Sequence, residues 1–536
     1  MNDPLHESGE KLANRLPADE NLPEGSVVDG AALKHEVDEA FDFVVVGTGA
    51  AGAVAAHRLA QLGFSVAMVE EGPYVKTRQF GPDVLSAFRT LMRDAATQAL
   101  EGRSFIPLLQ AKVVGGSTVV NSAIAWRMPE DVSDDWTARF GLGGVVDSQA
   151  LDEHFTSLEE DLHVEAVADE VLGGNNREFV EAIKRRGIEH RPMHRYAARC
   201  KGSARCLQGC PNAAKQGMNV SYVPWALALG ARLYCSCRVE RAIIEGGRAV
   251  GVLAQGAGPS RARVTLRTRR GVVIAASTIQ TPNLLRRSGI RSGELGRHFQ
   301  AHPGVGIAGV FDRPIRMDFG STQGAETTHF RATDRFKIET ISLPPEMVAA
   351  RMPGAGAGLM RKLAEYPNIA VWGVQIRAQA EGRVKTGFGG RDKVVYSLTQ
   401  RDMESTRKAL SFIATLMLEQ GAREIWPGVY GQPTAMTTVD EAKTLQGASL
   451  DPRAYGFIAT HFFGAARMGP DPKASVVGLD FATHEAEALY VVDSSVFPTN
   501  LGVNPQHTMM AVARLAATRI AERAKSTPKN VARDVA

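Results

Sequence analysis

The chain has 536 residues, 44% hydrophobic and 22% charged, proportions that exclude a disordered or fibrous protein and allow one or two large cores. Lys and Arg total 62 against 58 Asp and Glu, a net charge of +4 with no basic run, which excludes a nucleic-acid binder built on charge. Five cysteines in this length exclude a disulfide scaffold.

Residues 1–40 carry ten acids against Lys11, Arg15 and Lys34, and read as an acidic arm over the surface. This start has neither the basic stretch nor the apolar core of a secretory signal, and no run approaches the ~20 apolar residues of a membrane span. A cytoplasmic enzyme without a transmembrane segment is the expectation. From Phe41 the character changes. Phe43–Val46 is a β-branched strand, Gly47-Thr48-Gly49-Ala50-Ala51-Gly52 a turn, an Ala/Leu helix follows to about Leu62, and a second strand, Ser65–Val69, ends at Glu70. Gly47, Gly49 and Gly52 in this context form a dinucleotide-binding turn. The first glycine permits the bend, the second admits a pyrophosphate to the backbone, and the third lets the helix pack on the sheet. Glu70, 18 residues past Gly52, can accept both ribose hydroxyls, which disfavours NADP and leaves FAD and NAD open.

A second glycine segment, Gly115-Gly116-Ser117-Thr118-Val119-Val120-Asn121, suits backbone packed against a flat ring, with Asn121 bonding its heteroatoms. Further on, short strands alternate with turns, as in Ala242–Glu245 and Ala249–Ala254 around Gly246-Gly247. Residues 313–455 hold scattered strands and an amphipathic helix near Asp402–Glu419, and a last helix starts near Pro505 and runs to about Lys525. Cys200, Cys206 and Cys210, followed by Pro211, have a spacing that can hold a 3Fe–4S cluster. The same spacing also suits a buried thiol trio or a zinc site short of one ligand. Cys235 and Cys237 alternate on a strand and read as core.

Four separated motifs occur in order: the glycine turn with Glu70; Gly115–Asn121; Ser277-Thr278-Ile279-Gln280-Thr281-Pro282-Asn283-Leu284-Leu285 leading to Ser288-Gly289-Ile290; and the paired segments Thr460–Gly469 and Val491–Thr508. With them the chain resembles the glucose–methanol–choline (GMC) flavoprotein oxidoreductases from Phe41 to Ala524. Gly115–Asn121, Trp136 and Cys206-Leu207-Gln208-Gly209-Cys210-Pro211 make it most similar to the bacterial, long-chain fatty-alcohol oxidase-like subgroup. The resemblance implies an α/β Rossmann-like FAD-binding domain (41–130, 216–312 and 456–525) and a discontinuous α+β substrate or cap domain (131–215 and 313–455). It implies FAD, held without a covalent bond because Val120 stands where some members carry the attaching histidine. His461 takes the place of the family's base and Asn504 that of its partner. Val239, Asp493, Pro505 and Thr508 join the cofactor set, and His302 matches a structural His-Pro. Ala465 departs from the usual threonine.

Alcohol oxidation needs a group to take the hydroxyl proton while hydride leaves carbon, and a neutral imidazole suits the first task. Asn504 can hold the substrate oxygen as donor and acceptor. Phe330, Ile338, Ile341, Leu343, Trp372 and Val374 suggest a hydrophobic alcohol (long-chain, alicyclic or sterol-like), with oxygen or a protein or quinone as electron acceptor. The alternatives are an iron–sulfur dehydrogenase feeding a cytochrome and an FAD-binding hydroxynitrile-lyase-like enzyme.

Overall fold

The computed structural model describes residues 17–526. Two sheets organise it. The first follows the order Val27–Asp29, Arg232–Cys235, Val66–Val69, Val37–Val46, Arg263–Ile274, Arg248–Gly256, Cys237–Glu245, and Leu489–Val491 pairs with the end of Arg263–Ile274. Pairing is parallel from Val27–Asp29 to Arg263–Ile274 and antiparallel in the last three strands. Val37–Val46 lies in the middle. Its first half alternates in exposure and its last four residues are all buried, as expected where helices cover both faces of a parallel sheet. The helix Ala50–Gln61 follows, its alanines allowing close packing against the helices Tyr222–Ala228 and Gln506–Ser526.

The second sheet is antiparallel, in the order Ala422–Trp426, Gln300–Phe311, Ile369–Ile376, Phe336–Thr340, Ala325–Thr327, Arg191–Pro192, with Ile458–Phe463 also on Gln300–Phe311. One face packs on the helices Gly174–Arg185 and Gln400–Glu419 through Phe179, Ile338, Trp372, Ile413 and Met417. Strand alternation turns Lys337, Glu339 and Gln375 to the other face.

The structure corrects three expected boundaries. Residues 1–16 lie outside the described residues, but the rest of the expected arm contributes to the first sheet: Val27–Asp29 is its edge strand, and Val37–Val46 begins four residues before Phe41. The strands Gln300–Phe311 and Ile458–Phe463, expected in the cofactor domain, belong to the second sheet. Pairing partners decide sheet membership, and apolar runs in either sheet read alike.

The helices around Gln506–Ser526 enclose two imidazoles. His57 meets the ring of Tyr222 edge-on at 5.1 Å, and His154 Nδ1 lies 3.3 Å from Arg514 Nη1. Burial, then Arg514, lowers both from 6.5 to about 4. Between those values the unfolded chain binds protons that the fold refuses. These residues' stability is therefore complete above the unfolded value and is lost as pH falls toward the folded one. The melting temperature should drop between about pH 7 and about pH 5, and calorimetric unfolding at about pH 5 should take up protons; a flat profile would contradict this.

Candidate functional site

The two sheets enclose a cavity of about 390 Å³. At one end lie Gly47, Gly49, Glu70, Gly116, Ser117 and Val239; at the other, His461, Asn504 and Pro505; Asn121 and Asp493 also line it. Gly52, Gly115 and Thr508 do not reach the cavity. Gly52 and Gly115 act on its shape. A Cβ at Gly52 would stand 2.0 Å from Gly47 O, and the Gly115 N–H donates to Thr48 Oγ1 at 3.1 Å. Thr508 is fully buried and lies 3.5 Å from the Trp126 carbonyl.

Gly49 is different. A Cβ there would meet nothing closer than Gly116 Cα at 4.0 Å, so the two glycine segments leave bare backbone at the cavity where the helix Ala50–Gln61 begins. That suits a pyrophosphate, as in a dinucleotide-binding turn. Glu70 Oε2 accepts from Thr48 N–H (3.0 Å) and Oγ1 (2.8 Å), and Oε1 from Gly72 N–H (3.0 Å). Burial still pushes its carboxyl above the usual range. Asp493 is similarly raised by burial and held by Ser277 N–H, Thr281 Oγ1 and Ser495 N–H at 3.0, 2.6 and 2.8 Å. It therefore pins the helix Gln280–Arg287 to the cavity wall. Asn121 donates to Gln506 Oε1 and accepts from the Ala123 N–H, tying the second glycine segment to the last helix. That helix opens at the cavity through Asn504, Pro505 and Gln506, which aims its positive end inward.

His461 sits on the strand Ile458–Phe463. Its Nδ1 lies 3.4 Å from Nδ1 of His302, whose Nε2 lies 3.1 Å from Asn500 Oδ1 and 2.9 Å from the Gly502 nitrogen. Nε2 of His461 is therefore the nitrogen left for a substrate. Burial, then the charge of Lys337, lowers His461 to about 3, so the ring is neutral across the ordinary pH range. His507, three residues past Asn504, points elsewhere and pairs with Glu159 at 3.0 Å.

The residues that sequence reasoning missed are charged. Lys337 Nζ donates to Asn504 Oδ1 at 2.5 Å and to Glu326 Oε2 at 2.6 Å, and pairs with Glu339 at 3.1 Å. The alternation Phe336-Lys337-Ile338-Glu339-Thr340 signals a strand with one polar face, which ordinarily means solvent; here that face is the site. The apolar residues expected to contact substrate mostly serve the core. Of Phe330, Ile338, Ile341, Leu343, Trp372 and Val374, only Ile341 lines the cavity.

Among the described residues no three His, Cys, Asp or Glu side chains gather as a metal-ion ligand set, so the structure lends no support to the cluster reading of Cys200, Cys206 and Cys210. Instead Cys206 Sγ accepts from Arg195 Nη2 at 3.0 Å, and Arg195 Nε bonds Ser122 O at 2.7 Å. Lys215 Nζ donates to Val119 O, Asn121 O and Cys206 O at 2.6, 2.8 and 2.8 Å. Burial alone would raise the Cys206 thiol, but Arg195 and Lys215 outweigh it and hold it below its usual value. This segment thus anchors the second glycine segment and places Leu207 in the cavity wall. Among the described residues no helix is long and apolar enough to cross a membrane.

Sequence profiles of GMC oxidoreductases match residues 41–304 and 389–513. An uncharacterized GMC-type oxidoreductase of Mycobacterium tuberculosis is 34% identical over 474 residues, covering 88% of this chain and 74% of that protein. The long-chain-alcohol oxidase FAO1 of Arabidopsis thaliana is 26% identical over 529 residues, covering 91% of this chain and 68% of its own length. Pyridoxine 4-oxidase from Mesorbium loti is similar in fold, with a TM-score of 0.66 at 18% identity over 89% of this chain and 98% of its own. A formate oxidase variant of Aspergillus oryzae also has a TM-score of 0.66 at 18% identity, over 91% and 99%. With the fold, the cavity and both profiles in agreement, the chain belongs to the GMC oxidoreductase family.

Proposed function

We propose that the chain oxidises an alcohol to the carbonyl with dissociable FAD, His461 acting as general base and Asn504 holding the substrate oxygen. The observation that carries this reading is that His461 and Asn504 share one cavity with Gly49, Glu70 and Gly116. Gly47, Gly49, Glu70, Gly116, Ser117, Val239 and Asp493 would hold the cofactor, and Val120 offers no nucleophile for a covalent link. Bound FAD supplies N5 as the hydride acceptor. The hydroxyl proton goes to His461 Nε2, the carbinol hydride leaves carbon, and the C–O bond becomes C=O. Burial and the nearby Lys337 charge keep the imidazole neutral, so its free nitrogen is unprotonated before the alcohol arrives. Leu207, Ile341 and Met347 favour a hydrophobic alcohol, while Gln323, Glu339 and Gln375 add polar groups to the same wall.

Anaerobic spectra of the holoenzyme with hexadecanol, cyclohexanol and cholesterol test the reading: one of them should bleach the flavin bands. His461→Ala should slow bleaching by ~10²–10⁴-fold while keeping the flavin spectrum. Bands that persist with every alcohol but bleach with dithionite would sink it.

The two glycines separate cofactor binding from folding. Gly49→Ala should melt like the flavin-free wild type and fail to take up FAD, because its methyl occupies only the ligand's space. Gly52→Ala should destabilise even the flavin-free protein by about 1–3 kcal/mol. Equal melting temperatures for the two variants would contradict the assignment.

A further inference from the structure

Lys337 is completely buried on the strand Phe336–Thr340, facing Gln375 on the neighbouring strand. Its charge is kept there by carboxylates. Glu326, also completely buried, accepts from Lys337 through Oε2, from Trp126 Nε1 at 3.1 Å through the same oxygen, and from Arg191 Nε at 2.8 Å through Oε1. Arg191 in turn lies over the Trp126 ring at 3.3 Å. Glu339 stands opposite Glu326 in the sheet and adds a second negative charge 3.1 Å from the ammonium. Burial disfavours both ions, yet these partners keep Lys337 above its usual value and Glu326 below its own, so the pair stays ionised.

The remaining partner of Lys337 is Asn504. An ammonium has donors only, so the amide atom facing it must be the carbonyl oxygen. The amide is thereby given one orientation, with its NH2 as the end available to the cavity it shares with His461. On chemistry alone Asn504 could donate to or accept from a substrate hydroxyl; with its oxygen held by Lys337, the group it offers to the cavity is a donor. A donor at that oxygen favours the negative charge that develops as the proton departs, whereas an acceptor would hold the proton in place.

The geometry points to Lys337 as a positioning residue: it fixes Asn504 as a hydrogen-bond donor toward the substrate oxygen, and Glu326 holds Lys337 in the charged form that does so. This deepens the alcohol-oxidation reading and rests on it. The effect falls on the reacting state more than on the bound alcohol, so it belongs in kcat.

The test uses the FAD-loaded protein and whichever of hexadecanol, cyclohexanol or cholesterol bleaches the wild-type flavin fastest. Lys337→Met alone would leave Glu326 buried without its cation, so the double variant Lys337→Met/Glu326→Gln is compared with it, and flavin content and melting temperature are followed in both. The double variant should reduce its flavin about 10²-fold more slowly with KM changed less than about threefold. Added to Asn504→Ala, it should slow that variant little further, because Lys337 acts through the amide. A double variant that holds flavin and turns over like the wild type overturns the proposal. So does a loss that multiplies in the Asn504→Ala background, since Lys337 would then act on its own. A wild type that bleaches with none of the three alcohols fails the alcohol reading first, and the assignment of Lys337 falls with it.

Discussion

The chain leaves the second sheet two residues after His461, at Phe463, and turns to the segment that follows the first sheet's strand Leu489–Val491; the rest of the site is arranged around that crossing. Ile458–Phe463 pairs with Gln300–Phe311, after which the Gly464 N–H bonds Ser494 O at 3.1 Å and the Ala466 N–H bonds Ser495 O at 3.0 Å. Gly464 has φ +76°, and a Cβ there would stand 2.0 Å from His298 O, so only glycine fits. Ala465 also lies in the left-handed region, and its carbonyl accepts from the Gly296 N–H at 2.6 Å. Side-chain hydrogen bonding at position 465 is thus given up for a buried methyl, while the backbone that sets His461 is fixed from both sides. A histidine on a strand held at this seam lines one cavity with the glycine segments of the first sheet.

Around the seam, burial decides which groups are charged. His461 and His302 are pushed far toward the neutral form, so both rings stay uncharged at ordinary pH. Glu70 and Asp493 are raised by the same burial, and backbone and hydroxyl donors compensate them. Lys337 and Glu326 take the opposite course, each charge maintained by the other. Arg195 and Lys215 follow a third: they lie against carbonyl oxygens and a thiol, and stitch the Cys206 segment to Val119–Ser122. Each solution has a geometric consequence, because a buried charge tolerates only the arrangement that satisfies it.

The parts of this site legible in the sequence are those whose chemistry is local. Gly47 to Glu70 is a continuous strand–turn–helix–strand unit, so spacing carries the geometry, and the helices at Gln400–Glu419 and Gln506–Ser526 follow from periodicity and from Pro505. His461 and Asn504 were found through the motifs around them. Lys337 was not, because Glu326 meets it from the neighbouring strand and Asn504 from the segment before the last helix, contacts far apart in sequence, and a single strand with alternating charges looks like a solvated edge. The surroundings of Cys206 were hidden for a similar reason: spacing suits a ligand set and a buried thiol trio alike, and Arg195 and Lys215, unremarkable in sequence, meet Cys206 only in the fold.

The substrate wall shows how one misjudged face changes a chemical expectation. Ile338, Trp372 and Val374 are apolar because they meet the helices behind the sheet, and a strand's apolar face says only that something packs on it. The other face carries Lys337, Glu339 and Gln375, of which Glu339 and Gln375 line the cavity, and it is polar. The apolar part of the cavity lining comes instead from loops and other elements, at Leu207, Ile341 and Met347. That division places the apolar and the polar lining on different elements, so either can change without disturbing the other.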